Sequence, residues 1–318
     1  MALTLQEAAK YSTDTLQRGV IETFARTSAV LELLPFMEIA GNAYRYNQEE
    51  ALPGIAFRGV NEGYTESTGV INPQSEGLVI LGGDSDVDRF LVQTRGNLQD
   101  IRAIQTEMKA KALALEFTRA FFKGDTAVDS KAFDGLEKRI RGSQLIYADG
   151  AGQAGVAFTK GNTEGKSPDD VTFLEKLDEL IDAVEGEPDV LFMSKAMRRK
   201  VKGILQRSEH YVENGADAFG RPVMTYAGIP IRVIETDVEG NEILGFNETV
   251  GADTDTGSIY AVRFGAEQYV AGLRNGGVNV RDLGEIDEKP VYRTRIEFYC
   301  GLAVFHPKAV ARLAGIKK

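Results

Sequence analysis

The spacing of hydrophobic residues predicts one long helix in the first half of the chain. Residues 97–123 carry apolar side chains at steps of three, four and seven, the repeat of a helix with one buried face. These side chains are Leu98, Ile101, Ile104, Met108, Leu115 and Phe122. Asn97 and Gly124 are residue types that favour the start and the end of a helix. At about 1.5 Å per residue, the helix is expected to be about 40 Å long.

Before this helix the pattern changes twice. Residues 5–34 show short helical stripes that end at Pro35, which predicts an N-terminal arm with one or two modest helices. Residues 42–94 are rich in Gly, Asn, Ser and Thr, and their apolar residues tend to alternate, which predicts two strands joined by a long polar tip. A long polar hairpin with few apolar anchors indicates packing on a partner subunit.

After the long helix the pattern predicts a mixed layer and then strands. Helical and strand patterns alternate over residues 169–237, which is typical of a small α/β layer. Residues 258–264, 276–284 and 291–307 alternate with period two or form apolar runs, and they are predicted to be strands. The segment "PKAVARLAGI", which begins at Pro307, is predicted to be a terminal helix.

Composition and charge exclude several kinds of site. The 318-residue chain has a net charge of −10, so it lacks the basic footprint of a nucleic-acid-binding protein. Its single cysteine, Cys300, lies in the apolar run "FYCGLAVF", where a buried inert thiol is expected. His210 and His306 are the two histidines, and they leave little material for a zinc site or a Cys-His nucleophile. The sequence predicts neither a signal peptide nor a membrane span, and a cytoplasm-like compartment is expected.

Three aspartates stand at alternate positions in "LGGDSDVDRF". If Asp84 opened a calcium loop, the required glycine and glutamate positions would be occupied by Arg89 and Arg95, so the loop pattern fails. The segment continues as "RFLVQT", which is a strand pattern, and alternate residues of a strand share one face. Asp84, Asp86 and Asp88 are therefore predicted to form an acidic face that is solvated or pairs with a subunit. A metal site is the alternative.

Other charged or glycine-rich motifs carry less chemistry. "KAMRRKVK" (195–202) is a basic helical stretch, either a solvated face or a patch that faces a polyanion or an acidic neighbouring subunit. "GNTEGKS" (161–167) lacks the spacing of a phosphate-binding loop, and no G-x-S-x-G hydrolase motif occurs. The sequence therefore predicts no enzyme, no cofactor and no metal.

The order of elements resembles the tailed-phage major capsid protein family over nearly the whole chain. Three segments carry the likeness: "FFKGDTAVDSKAFDGL", "GRPVMTYAGIPIRVIETD" and "YRTRIEFYCGLAVFHPKAVARL". The resemblance implies an α+β capsid fold built from an N-terminal arm, an extended β-hairpin loop, a peripheral domain with a long spine helix, and an α/β axial domain. The implied bounds are 1–47 for the arm, 48–94 for the loop, 95–145 and 258–318 for the peripheral domain with its spine helix at 97–123, and 146–257 for the axial domain.

The same resemblance implies a function. The chain is expected to self-assemble through hexamers and pentamers into the icosahedral head shell of a tailed phage, in the cytoplasm of the bacterial host. The shell would enclose double-stranded DNA without sequence-specific binding, and separate scaffolding, portal and decoration proteins would be further partners. The virion is the expected location, with no membrane. The alternatives are the shell of an encapsulin-type nanocompartment and, remotely, a metal-dependent enzyme that uses Asp84, Asp86 and Asp88.

Two departures from the family pattern refine these expectations. No lysine occurs between Lys10 and Lys109, so the lysine crosslink that some members form from the extended loop is not expected. The segment before the hairpin is short, which favours a separate scaffolding protein or assembly without one. The hairpin and its returning strand supply the predicted subunit-interface residues, which are Arg58, Tyr64, Glu66, Asp84, Asp86, Asp88 and Arg89.

Overall fold

The computed structural model of the protein describes residues 24, 27–95, 101–158, 170–207, 213–216 and 222–318. The helical stripes predicted before residue 24, the cap at Asn97, the loop 161–167 and His210 lie outside these residues.

The described helices and strands follow the order below. The helices are α1 Ala29–Leu33, α2 Arg89–Arg95, α3 Ile101–Lys123, α4 Leu136–Arg139, α5 Asp170–Asp182 and α6 Lys195–Arg207. The strands in the first half are β1 Phe36–Glu38, β2 Ala43–Ala51, β3 Val70–Gly77, β4 Val79–Asp88 and β5 Leu145–Tyr147. Those in the second half are β6 Val190–Ser194, β7 Glu213–Ala216, β8 Pro222–Tyr226, β9 Ile229–Ile234, β10 Glu248–Val250, β11 Asp253–Val262, β12 Val270–Arg274, β13 Asn279–Glu285, β14 Val291–Val304 and β15 Val310–Lys317.

The predicted long helix is confirmed from Ile101 to Lys123 as α3. It packs on a five-stranded sheet in the order β1-β12-β14-β13, with β4 added along β14. Aromatic rings fill the space between them, and Phe298 of β14 contacts Phe24 and Phe36 edge to face at 5.5 and 5.8 Å. Phe117 of α3 is fully buried in the same cluster. This first core holds the peripheral part of the molecule together.

A second sheet carries the α/β layer. Its strand order is β5-β15-β11-β6-β9-β8-β7, with β10 on β11. Side chains alternate across β6, so that Leu191 and Met193 enter a second core with α5 and α6, while Val190 and Phe192 enter the first core. The second sheet therefore separates the two cores and touches both. The predicted α/β layer is confirmed.

The predicted terminal helix is wrong. Pro307 opens a short 3-10 turn whose cap is His306, with its Nδ1 accepting from the Lys308 amide at 3.2 Å. Residues Val310–Lys317 then form β15, which pairs antiparallel with β11 and parallel with β5. Nearly every residue of β15 is buried, and a strand that is buried on both faces has the same continuous apolar pattern as a short buried helix.

The second sheet also joins chain segments that the sequence assigns to different domains. Strand β15 and the second half of β11 belong to the predicted peripheral segment 258–318, yet they share a sheet with β6 and β9 from the predicted axial segment 146–257. Cys300 is buried on β14, as expected, and burial raises the pKa of its thiol. None of the described helices is long and apolar enough to cross a membrane.

Candidate subunit interface

A two-stranded hairpin extends from the peripheral sheet and is anchored at its root. Strands β2 and β3 pair with each other from Ala43↔Gly77 onward and form a sheet of their own. A two-stranded ribbon is marginally stable alone, so the contacts at its root matter. There the ring of Phe305 lies 4.8 Å from that of Tyr46 and 6.1 Å from that of Tyr44, both at edge-to-face angles.

An ion pair, Glu76–Arg139, ties the root of the hairpin to α4. Arg139 Nη2 donates to Glu76 Oε2 at 2.8 Å and to the Leu302 carbonyl at 3.2 Å. The two charged side chains are only 16% and 18% exposed, so water screens them little. The Tyr46 hydroxyl donates to the Val304 carbonyl at 3.0 Å, and burial beside the Glu76 carboxylate raises its pKa to about 12. This root pair orients the hairpin relative to the body.

Sequence reasoning missed the root pair. Glu76 lies in a polar strand and Arg139 in a short charged helix, 63 positions apart. Neither position breaks the local pattern of its element. Only the packing of β3 against α4 brings the two side chains together.

The tip of the hairpin is formed by residues 52–69. Its first part, residues 52–60, is apolar, and its second part, residues 61–69, is mostly polar. Leu52, Ile55, Phe57 and Val60 are 80–109% exposed, so their side chains touch almost nothing else in the chain. The segment predicted to be the polar tip, residues 61–77, supplies only the second part of the tip, since residues 70–77 form β3, and the apolar stretch "LPGIAFRGV" (52–60) forms the first part. A group of large apolar side chains held in water on a projecting arm is typical of a protein interaction site.

The tip has some internal order. Arg58 donates from Nη1 to the Glu62 carbonyl at 3.0 Å, and its guanidinium lies 5.2 Å from the ring centroid of Tyr64. Ser67 donates to the Gly54 carbonyl at 2.7 Å and closes the loop. Of the predicted interface residues, Arg58 and Tyr64 thus contact each other, and Glu66 is exposed.

The three aspartates lie on β4, as the alternation predicts, but two of them have partners in the same chain. In the β4–β14 register Asp84 is opposite Arg295 and Asp86 is opposite Arg293. Each pair makes two hydrogen bonds, at 2.7 and 2.8 Å for Asp84 and at 2.6 Å twice for Asp86. Such forked pairs are the strong form of a carboxylate–guanidinium contact.

The remaining members of the motif cap and flank α2. Asp88 Oδ1 accepts from the Phe90 amide at 2.7 Å at the start of the helix. Arg89 is 3.3 Å from Glu285 and more than half exposed. The pattern "RFLVQT" forms the helix α2 and not the predicted strand, because the cap at Asp88 ends β4. Within the described residues, no three His, Cys, Asp or Glu side chains are grouped as metal ligands.

Replacing Asp84 with asparagine is expected to lower stability by about 1 kcal/mol near neutral pH and to have little effect in acid. Hydrogen bonds from Arg295 and its charge hold the pKa of Asp84 below the ordinary 3.8. The stabilisation is therefore complete above the ordinary value and is lost as the pH falls below it, through the lowered pKa. Thermal unfolding at several pH values measures this. Asp287→Asn, at an exposed carboxylate, is the control, and an equal loss at acid pH would contradict the assignment.

A second group of exposed apolar side chains lies on α2 and α3. Phe90 is 69% exposed, Met108 58% and Ile104 39%. Ile104 and Met108 are one helical turn apart on α3, so they share one face. We call Phe90, Ile104 and Met108 the helix stripe.

Comparisons with known proteins identify the family. A family model described as Major capsid protein GP7 matches residues 12–167, which include most of the predicted arm, the hairpin and α3. The protein belongs to the tailed-phage major capsid protein family. No curated protein matches the sequence. As a member of a structural family, this capsid protein forms a shell and is not an enzyme, and its location is the virion.

Solved structures show the same fold over nearly all of the capsid protein. The holo-SrpI encapsulin complex of Synechococcus elongatus PCC 7942 is similar with a TM-score of 0.66 at 18% identity, covering 100% of this chain and 97% of that one. The capsid of a native GTA particle is similar with a TM-score of 0.63 at 14% sequence identity, and the match covers 91% of this chain and 90% of that one. A structure from Microbacterium phage Oxtober96 is similar with a TM-score of 0.59 at 14% sequence identity, and the match covers 92% of this chain and 91% of that one. At these identities the likeness concerns the fold, which is α+β.

Proposed function

We propose that the protein is the major capsid protein of a tailed phage, whose copies form hexamers and pentamers that close into an icosahedral head shell around double-stranded DNA. The observation that carries this proposal is the anchored hairpin with its exposed apolar tip. A tip of this kind is stabilised when a neighbouring copy covers it. The net charge of −10 suits a container that encloses DNA without gripping it.

The hairpin tip and the helix stripe form the two sides of the proposed contact. Burial of a side chain such as Phe57 or Ile55 contributes about 1.5–3 kcal/mol. The helix stripe on α2 and α3 is an apolar surface of matching character on every copy. We place the tip of one copy against the stripe of the next, with Arg58, Tyr64 and Glu66 at the rim, where polar contacts select the partner.

The acidic face of Asp84, Asp86 and Asp88 has a role within the chain in this proposal. The carboxylates of Asp84 and Asp86 hold β14 and so brace the base of the hairpin from within the chain. Asp88 and Arg89 lie where β4 meets α2, beside the stripe. The contact of the acidic face and Arg89 with a neighbouring copy stays a prediction.

Further partners and the place of assembly belong to the same proposal. We expect assembly in the cytoplasm of the bacterial host, with a separate scaffolding protein, a portal and decoration proteins. The resemblance to capsid proteins supports this expectation. A terminase and a portal gene beside the capsid gene would support it further.

The direct test is electron microscopy of the purified protein. Closed particles of uniform diameter are expected at high protein concentration, and a monomer under several salt conditions would contradict the proposal. Particles isolated from the natural source are expected to contain double-stranded DNA, which nuclease digestion after disruption would identify.

A second candidate function is the shell of an encapsulin-type compartment. The observation that favours it is the likeness to the SrpI encapsulin complex, which covers the whole chain. Such a shell would enclose a protein cargo in place of DNA. Isolated particles that contain a single folded protein and no nucleic acid would decide for this candidate.

A further inference from the structure

Two neighbouring helices on the second sheet carry opposite charge on their exposed faces. Both helices bury an apolar face in the second core, with Leu177 and Leu180 on α5 and Met197 and Ile204 on α6. On α5 the exposed charged side chains are Glu175, Asp178, Glu179 and Asp182. On α6 they are Lys195, Arg198, Arg199 and Lys202.

Each helix places part of this charge at the end where its own dipole disfavours it. A helix is stabilised by acidic side chains in its first turn and by basic ones in its last turn. The last turn of α5 contains Glu179 and Asp182 and no basic residue. The first turn of α6 contains Lys195 and Arg198 and no acidic residue. A helix end that carries the charge its dipole disfavours breaks a local stability rule, and such breaks are expected at functional positions.

The chain neutralises only part of this charge itself. Lys195 lies 2.6 Å from Glu235, and Glu179 lies 2.7 Å from Lys176. Among the residues that the structure describes, Arg198, Arg199 and Lys202 have no ion-pair partner, and the same holds for Glu175 and Asp182. These charges are available for a second molecule.

The two ends lie on opposite sides of the helical layer. Strands β5, β6 and β9 run parallel, and the helices that connect them return in the opposite direction. The second half of α5 therefore lies where β9 begins, as the 2.7 Å hydrogen bond from Tyr226 to Asp178 shows. The start of α6 lies where β9 ends, beside Glu235. One copy cannot bring its own two ends together.

We infer that the basic start of α6 in one copy docks on the acidic end of α5 in the next copy. The occupant is a second copy of this chain, because that copy presents the complementary charge at the opposite end of the same layer. The contact is head to tail, joining two different patches, and such contacts build closed rings when the rotation closes. This inference rests on the proposed function, since it names a contact within the shell.

The test uses paired charge reversals in the full chain. Arg198→Glu with Arg199→Glu makes the start of α6 acidic, and Glu175→Lys with Asp182→Lys replaces the two unpaired carboxylates of α5 with basic side chains. The changes at Arg198 and Asp182 improve the match between side chains and helix dipole in the first turn of α6 and the last turn of α5, so the unassembled fold is expected to unfold at the same temperature or higher. Each pair alone is expected to reduce the yield of particles at least tenfold. Combined in one chain, the four changes are expected to restore particles.

The control variant reverses the same number of charges at positions outside α5 and α6. Lys131→Glu with Lys308→Glu alters two exposed basic residues outside α5 and α6 and is expected to leave the particle yield unchanged. The four-change chain is also expected to assemble without incorporating wild-type copies, which a tag on one of the two would detect. If wild-type particles form and the α6 reversal assembles equally well, or the combined chain fails to recover, the inference is wrong while the shell function stands. A wild-type chain that forms no particle overturns both.

Discussion

Replacing Arg312 with methionine is expected to lower the free energy of unfolding of the unassembled chain by about 3–5 kcal/mol. Arg312 on β15 lies 2.9 Å from the Glu248 carboxylate, and its Nε donates to Ser258 at 3.0 Å. The side chains of Arg312 and Glu248 are 9% and 4% exposed. Without the guanidinium, a carboxylate would stay buried with no opposing charge.

Two further variants separate this cause from a loss of packing. Glu137 also contacts Arg312, at 3.0 Å, but its side chain is 36% exposed, so Glu137→Gln is expected to cost at most about 1 kcal/mol. Changing Arg312 and Glu248 together to methionine is expected to recover most of the loss, since no isolated charge remains. Denaturant unfolding of all three variants measures these differences. A single Arg312→Met variant within about 1 kcal/mol of wild type would show that Glu248 is not held by this pair.

The second large effect concerns assembly and not folding. Ile55→Asp combined with Phe57→Asp is expected to abolish shell formation, because two charged side chains would enter the apolar contact proposed for the hairpin tip. Both residues are almost fully exposed in the single chain, so the free energy of unfolding is expected to change by less than about 0.5 kcal/mol. Electron microscopy counts the particles, and denaturant unfolding checks the fold.

A matched control lies in the same tip. Thr65→Asp with Thr68→Asp adds the same charge at exposed polar positions and is expected to allow assembly. On the receiving side, Met108→Asp in the helix stripe is expected to block assembly as the tip variant does. If the tip variant assembles normally, the hairpin does not make the proposed contact, and if only Met108→Asp assembles, the tip lies on a different surface.

Much of the fold could be predicted from local patterns. The helix that became α3, the α/β layer of α5, β6 and α6, and the alternation of Asp84, Asp86 and Asp88 along β4 all follow from spacing between near neighbours. The order of these elements was enough to expect a capsid fold. Where the local pattern is ambiguous the prediction is wrong: the pattern of β15 predicts a helix and that of α2 a strand, because a short apolar run is compatible with both.

The candidate interface could be predicted less well. Arg58, Tyr64 and Glu66 do lie on the projecting tip, yet the most exposed apolar side chains, Ile55 and Phe57, were not among the predicted residues. Their apolar character was visible in the sequence. Their exposure was not, since an apolar residue in an alternating segment is ordinarily expected to face a core.

The sequence by itself determined the periodicity of each segment, the order of the elements and the excess of negative charge. These properties depend on residues only a few positions apart. The tertiary structure alone decided which charges meet. Asp84 finds Arg295 across 211 positions and Glu76 finds Arg139 across 63, because sheet register and helix packing place them side by side. For the same reason part of the charge at the end of α5 and the start of α6 has no partner of opposite sign among the described residues, because the fold holds these two helix ends apart.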